Sequence, residues 1–348
     1  MAAELSPEDD LRLNVLLAGE VYAVRIDEGQ QTLYALTSKG EAKVTLHRNC
    51  RPDLYVQRVR ELLGGHAMGS PGGYPVHLMR WNSMGQSNAR SLEALLKLGE
   101  PEAVRAVAQA PAMTDELARR AWWALPSMEV ARYLLAHSSV CSGVTGPVVA
   151  EYLIEHLPFE ENPVQAMNAI RAVLGARLMS NEVATSLWAK SKHRPHYFLG
   201  FLEHQPDHLP PEMPRSLDEN LACILASAVA RDDLWAVTLA RCHSANGQSY
   251  LRAMMLALDK PPAPEAVFLA LDLLGRYFAA LRNLAMPGDW PPSLVREVQA
   301  MHALSLVNQQ LAAPILSKTT AVGPLMRRHL EPVLAPLLAH IQILRGKA

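Results

Sequence analysis

The sequence is sparing with charge. Charged residues make up 19% of its 348 positions, below the roughly 25% usual in globular domains. Lys and Arg number 33 against 34 Asp and Glu, net charge is −1, and neither sign forms a long run. The electrostatic footprint of a nucleic-acid binder is therefore missing. No apolar run reaches the ~18 residues a membrane span requires. The most apolar tail, Leu330 to Leu344, is cut by Pro332 and Pro336 and carries His340. The start, Met1 to Asp10, is acidic and lacks the apolar core of a signal peptide or the basic character of a transit peptide. The four cysteines, Cys50, Cys141, Cys223 and Cys242, are far apart and form no CxxC, which suits buried thiols in a reducing compartment better than a disulfide framework. The expectation is a cytoplasmic protein.

Motifs of catalysis are missing too. There is no GxSxG, no GK[ST] and no GxGxxG between a strand and a helix, so neither an elbow nucleophile nor a phosphate loop is written in the chain. No serine or cysteine stands beside an evident base. The expectation is a protein without catalysis or cofactor.

What is abundant is apolar surface. Hydrophobic residues reach 49%, so many helices must be covered by neighbours on most sides. Ser6, Pro7 and the acidic run Glu8, Asp9, Asp10 begin a short helix that Gly19 ends. Alternation then covers Val21 to Ile26, Thr32 to Thr37 and Ala42 to His47, with turns at Gly29 and Gly40, which predicts a three-strand meander. A helix over Asp53 to Leu63, a glycine-rich loop and an expected fourth strand over Tyr74 to Trp81 complete a small α/β cap, residues 1–88.

From Ser91 on, the pattern is helical. Residues 103–122, AVRAVAQAPAMTDELARRAW, align without a gap on residues 169–188, AIRAVLGARLMSNEVATSLW, with nine of twenty positions identical, Arg105 facing Arg171 and Trp122 facing Trp188. Thr114 faces Ser180 at the expected cap of each second helix. An offset of 66 residues is two helical pairs, each too small to bury its own apolar face without stacking on the next. The expected fold is mainly α: a helical-repeat, α-solenoid-like array over residues 89–348 behind the α/β cap. Later helices are expected over Leu217 to Ala230, with Ser216 and Glu219 as a capping box, and over Asp233 to His243, Ser249 to Leu258, Pro264 to Leu284 and Ser293 to Leu311.

Four candidate sites follow. His193, His196, His204 and His208 fall within 16 residues beside Asp207. They would bind zinc if they converged, but Pro195 and Pro206 interrupt both pairs, which favours a solvated rim. The loop Gly64 to Gly73 offers either backbone N–H groups for an anion or a tight connection. Cys141, read as a loop residue before a helix starting near Pro147, and Cys50, before Arg51-Pro52, are the candidate reactive thiols. Cys223 and Cys242 read as packing residues. Trp122, Trp123, Trp188 and Trp235 read as core more than as a stacking platform.

Several stretches, EDDLRLNVLLAG, GHAMGSPGGYPVHLMRW, LGEPEAVRAV, TDELARRAWWALP and AEYLIEHLPFEE, resemble the DsrS family, cytoplasmic proteins encoded with the dissimilatory sulfite reductase genes of sulfur-oxidising bacteria. The resemblance spans residues 6–210 and implies an accessory role in sulfur oxidation. The implied partners are components of the sulfite reductase or of a sulfur relay that handles persulfides. It carries no catalytic residue across. Two functions compete: a protein-interaction module, and a thiol-based sulfur carrier or redox sensor using Cys141 or Cys50.

Overall fold

The computed structural model describes residues 5–68, 89–288 and 290–347. Among them the protein is mainly helical, with one three-stranded antiparallel sheet near the N-terminus. Its contacts group the chain into two compact units, Met1–His156 with Ala176–Leu178, and Leu157–Gly175 with Met179–Ala348.

In the first unit, α1 (Pro7–Leu17) starts where the capping pattern places it, the Ser6 hydroxyl accepting the Asp9 N–H at 3.3 Å. Strands β1 (Val21–Asp27), β2 (Thr32–Thr37) and β3 (Gly40–Thr45) form the expected meander in the order β1-β2-β3. Gly40, at φ 108°, makes the last tight turn possible. Helix α2 (Pro52–Met68) runs on through Gly64 and Gly65, so the glycine-rich stretch begins as helix rather than loop. The rest of that loop and the expected strand over Tyr74 to Trp81 lie outside the described residues. One face of the sheet shares a core with both helices, built of Leu13, Leu17, Val24, Leu33, Ala35, Tyr55, Val59 and Leu63.

The unit continues through α3 (Ala89–Leu95), α4 (Pro101–Ala108), α5 (Asp115–Ala124), α6 (Met128–Leu134), α7 (Ser138–Cys141) and α8 (Thr145–His156). The sheet is bound to these helices. The Val24 N–H donates to the Leu96 carbonyl at 2.9 Å. The Arg25 guanidinium lies over Tyr34 and Trp123 at 4.7 and 4.9 Å, Glu41 accepts the Trp123 indole N–H at 3.0 Å, and Arg120 covers Tyr22 at 4.3 Å. Such cation–π contacts use the negative face of the ring and join cation-bearing segments to aromatic ones.

The second unit holds α9 (Pro163–Gly175), α10 (Asn181–Lys190), α11 (Phe198–His204), α12 (Glu219–Val229), α13 (Leu234–His243), α14 (Ala245–Asp259), α15 (Pro264–Tyr277), α16 (Val295–Ser305), α17 (Ala313–Leu316) and α18 (Gly323–Leu344). Three details differ from the sequence reading. The cap of α12 is Asp218, which accepts the Leu221 N–H at 2.9 Å, and not Ser216. Helix α15 stops at Tyr277, after which Arg282 turns back to donate to the Ser305 carbonyl at 2.8 Å. Helix α18 runs unbroken through Pro332 and Pro336, both of them exposed, while Leu330, Leu334, Leu337, Ile341 and Leu344 form its buried row.

Both aligned segments fold as helix, loop and helix. Thr114 caps α5 by accepting the Leu117 N–H at 3.2 Å, and Ser180 caps α10 by accepting that of Val183 at 3.3 Å. Arg105 donates to Glu129 on α6 at 2.8 Å, and its counterpart Arg171 donates to both oxygens of Glu203 on α11, at 2.5 and 2.8 Å. The aligned tryptophans each make edge-on aromatic contacts, Trp122 with Tyr152 and Trp188 with Phe198 and Phe201.

Candidate functional site

The histidine cluster disperses in space. His193 lies exposed after α10, and His196 sits in a helical turn over Pro195–Tyr197 with its ring edge-on to Tyr197. Burial and the nearby Arg194 charge push its pKa down to about 4. His204 ends α11 beside Gly175, and burial lowers its pKa as well. His208 is exposed in the following loop. Among the described residues, no three His, Cys, Asp or Glu side chains stand close enough to hold a metal ion.

Two of the thiols, Cys141 and Cys223, take places the sequence did not suggest. Cys141 ends the short helix α7, half-buried, and its Sγ donates to the Leu135 carbonyl at 3.2 Å. Burial pushes this thiol up rather than down, the opposite of what a thiolate nucleophile needs. Cys50 is half-buried, its Sγ 3.6 Å from the Arg51 carbonyl. Cys242 is fully buried, and that burial pushes its thiol up to about 12. Cys223, expected in the core, is exposed on α12. Of the tryptophans, Trp235 is buried, whereas Trp122, Trp123 and Trp188 are half-buried.

Two surfaces stand out instead. Helix α12, ENLACILASAV, has Glu219 as its one charged residue and buries only Leu225 and Ala228. Ala222, Cys223, Ile224 and Ala226 are left facing solvent beside Glu219, Asn220 and Ser227, on a helix whose composition is that of a core element.

The second surface is a groove of about 540 Å³ between α1 and β3, lined by Leu11, Arg12, Val15, Leu16 and residues Ala42 to Thr45. Leu11 and Val15 are 65% and 68% exposed. A buried carboxylate fixes its two walls. Asp9, fully buried on α1, accepts the His47 N–H just beyond β3 at 2.6 Å and the Tyr55 hydroxyl of α2 at 2.5 Å, and contacts His47 Nδ1 at 3.0 Å. Burial raises the Asp9 pKa, but the hydrogen bonds from Tyr55 and His47 outweigh it and hold the group below its ordinary 3.8.

In the second unit, a buried polar knot fixes the proline-rich segment that follows α11. Arg215 donates to Glu297 on α16 at 2.5 Å and to the carbonyls of Ile343 and Leu344 at 2.8 and 3.2 Å. Glu297 also contacts His243 Nε2 at 2.9 Å, and both are buried. The segment holding Arg215 also carries Asp207, which receives a two-pronged donation from Arg241 at 2.6 and 2.8 Å. These are structural ties, remote in sequence and so invisible to local pattern.

Compared with protein-family models, curated proteins and solved structures, the chain finds no match in any of the three. Among the described residues, no helix is long and apolar enough to cross a membrane.

Proposed function

We propose that this protein is a non-catalytic accessory protein of the cytoplasm that binds another protein through its helical pairs, which descend from a repeated, solenoid-like unit. The observation that carries the reading is the set of apolar side chains that α12 exposes among the described residues, with Cys223 and Ile224 in solvent on a helix that bears one charge. Apolar side chains exposed together on one helix offer a docking surface to a partner. The duplicated caps and arginine–glutamate pairs support a common origin for the helical pairs. The resemblance to the DsrS family directs the choice of partner toward sulfite reductase components or sulfur-relay proteins.

The competing thiol-carrier reading loses support at Cys141, where burial disfavours the thiolate. The test is recovery of partners from an extract of a sulfur-oxidising bacterium on immobilised protein, with Ile224→Asp as control. Sulfite reductase or sulfur-relay components held by the native protein and released by the variant are the expected result. Equal recovery on both proteins, or on neither, overturns the reading.

A further inference from the structure

The register of the sheet determines which backbone groups of β3 are spoken for. Residues 40, 42 and 44 face 37, 35 and 33 on β2, while 41, 43 and 45 face 36, 34 and 32. In antiparallel pairing, opposed residues alternate between exchanging both hydrogen bonds and exchanging none. The Leu46 N–H donates to the Gln31 carbonyl at 2.9 Å, which sets the phase. The pairs 33/44, 35/42 and 37/40 are the bonded ones. The N–H and C=O groups of Glu41, Lys43 and Thr45 therefore point away from β2. The phase is checked at the opposite edge, where the outward N–H of Val24 finds the Leu96 carbonyl.

This outward row runs along the groove between α1 and β3. Ala42 and Val44 turn toward the core shared with α1, and Leu11 and Val15 rise from α1 on the other side. Lys43 lies on the opposite face, its ammonium 5.7 Å from the centre of the Tyr34 ring. Among the described residues the groove lining holds no carboxylate; Arg12 is its cation, while Lys43 carries its charge to the opposite face. Glu8 is held by Arg12 at 2.6 Å, and Glu41 by Arg25 and Trp123 on the far face of the sheet.

We infer that β3 is a docking edge for an extended segment of a partner protein with the pattern apolar–acidic–apolar, added to the sheet as a fourth strand. A strand laid on this edge would bond the outward groups of Glu41, Lys43 and Thr45. Its residues beside Ala42 and Val44 would enter the groove against Leu11 and Val15, and its residue beside Lys43 would meet a cation, the cross-strand pairing that a carboxylate satisfies. The site belongs to the first unit and does not depend on the α12 face, so each reading stands or falls separately.

The test uses the full chain and three blocked peptides: Thr-Thr-Val-Glu-Val-Thr-Thr, the same with Lys for Glu, and the same with Pro for Glu. Titration calorimetry is expected to show binding of the Glu peptide, at least tenfold weaker binding of the Lys peptide and none of the Pro peptide. Lys43→Pro removes an outward N–H without touching the bonds to β2, and Val15→Asp spoils the groove from an exposed position. Both variants should retain the native circular dichroism and melting temperature and lose the Glu peptide. Hydrogen exchange should find the Glu41, Lys43 and Thr45 amides open in the free protein and protected in the complex. No binding of the Glu peptide at millimolar concentration, or equal binding of the Lys peptide, overturns the proposal. Protection of those amides before any peptide is added, or a concentration-dependent dimer lost in Lys43→Pro, would overturn it by showing the edge already taken.

Discussion

The Tyr55 hydroxyl donates to Asp9 at 2.5 Å across 46 positions of sequence, and joins α2 to α1 through a carboxylate that water does not reach. Tyr55→Phe removes one of the donors to a buried charge. Hydrogen bonds to charged groups contribute roughly 1.5–3 kcal/mol, so urea unfolding of the variant should show a loss of that order.

The same carboxylate gives the first unit an acid sensitivity. The Asp9 pKa is below its ordinary value in the folded protein, so the folded state binds this proton less readily than the unfolded chain does. Its stabilising contribution is full above the unfolded value near 3.8 and fades as pH falls through the lower folded value. Asp9→Asn should flatten stability against pH over that acid range while lowering it at neutral pH. Unfolding midpoints followed from pH 7 to pH 2.5 would show it, and parallel curves for the two proteins would refute it.

The two aligned arginines should not be worth the same. Glu203 is 14% exposed where it meets Arg171, whereas Arg105 and Glu129 are 36% and 40% exposed. Arg105→Ala should cost under about 1 kcal/mol, as for surface pairs. Arg171→Ala strands a shielded carboxylate and should cost roughly 2–4 kcal/mol. Denaturant midpoints of the two variants, measured side by side, decide it.

Thiol labelling should follow exposure. Cys223 should react with a bulky disulfide reagent in the native state before Cys50 and Cys141, and Cys242 only on unfolding. Peptide mapping after short labelling times reads the order directly. Fast labelling of Cys141 would restore the sulfur-carrier reading.

Gly200 on α11 leaves room for nothing more, because a Cβ there would lie 2.8 Å from Ile170 Cγ2 and 3.2 Å from the Arg171 N. Gly200→Ala should destabilise by roughly 1–3 kcal/mol through overpacking. An unchanged melting temperature would mean that α9 gives way easily.

Local chemistry was legible in the sequence wherever the decisive partner lies within a few residues. Ser6, Thr114 and Ser180 cap the helices they precede, and the meander follows its alternation. The α12 cap shows the limit of such reading. Ser216 and Asp218 both precede an apolar run, and only the backbone path selects Asp218. Cys223 was misplaced because an apolar helix announces that it will be covered and not by what, and no described neighbour covers it. Arg215 lies in a proline-rich segment between two helices, yet its acceptors Glu297 and Ile343 are 82 and 128 positions away. No periodicity reports contacts of that range. The groove was hidden for a similar reason, since Leu11 and Val15 carry the signature of a core stripe and only the sheet's end leaves them open.

Pro332 and Pro336 have a consequence for the order in which the chain folds. Each removes an N–H from α18, leaving the carbonyls of Arg328 and Pro332 without their helical donors. Such a segment has little tendency to coil alone and must be shaped by the surface it lands on. Yet its final turn supplies the carbonyls that hold Arg215, 128 residues earlier. The ties of Arg215 to these carbonyls therefore wait until α18 has docked, a late and entropically slow closure, although Arg241 and Ser249 hold the same loop at Asp207 and Pro210. Refolding should show α18 gaining protection last, and native-state exchange should show its final turn opening first.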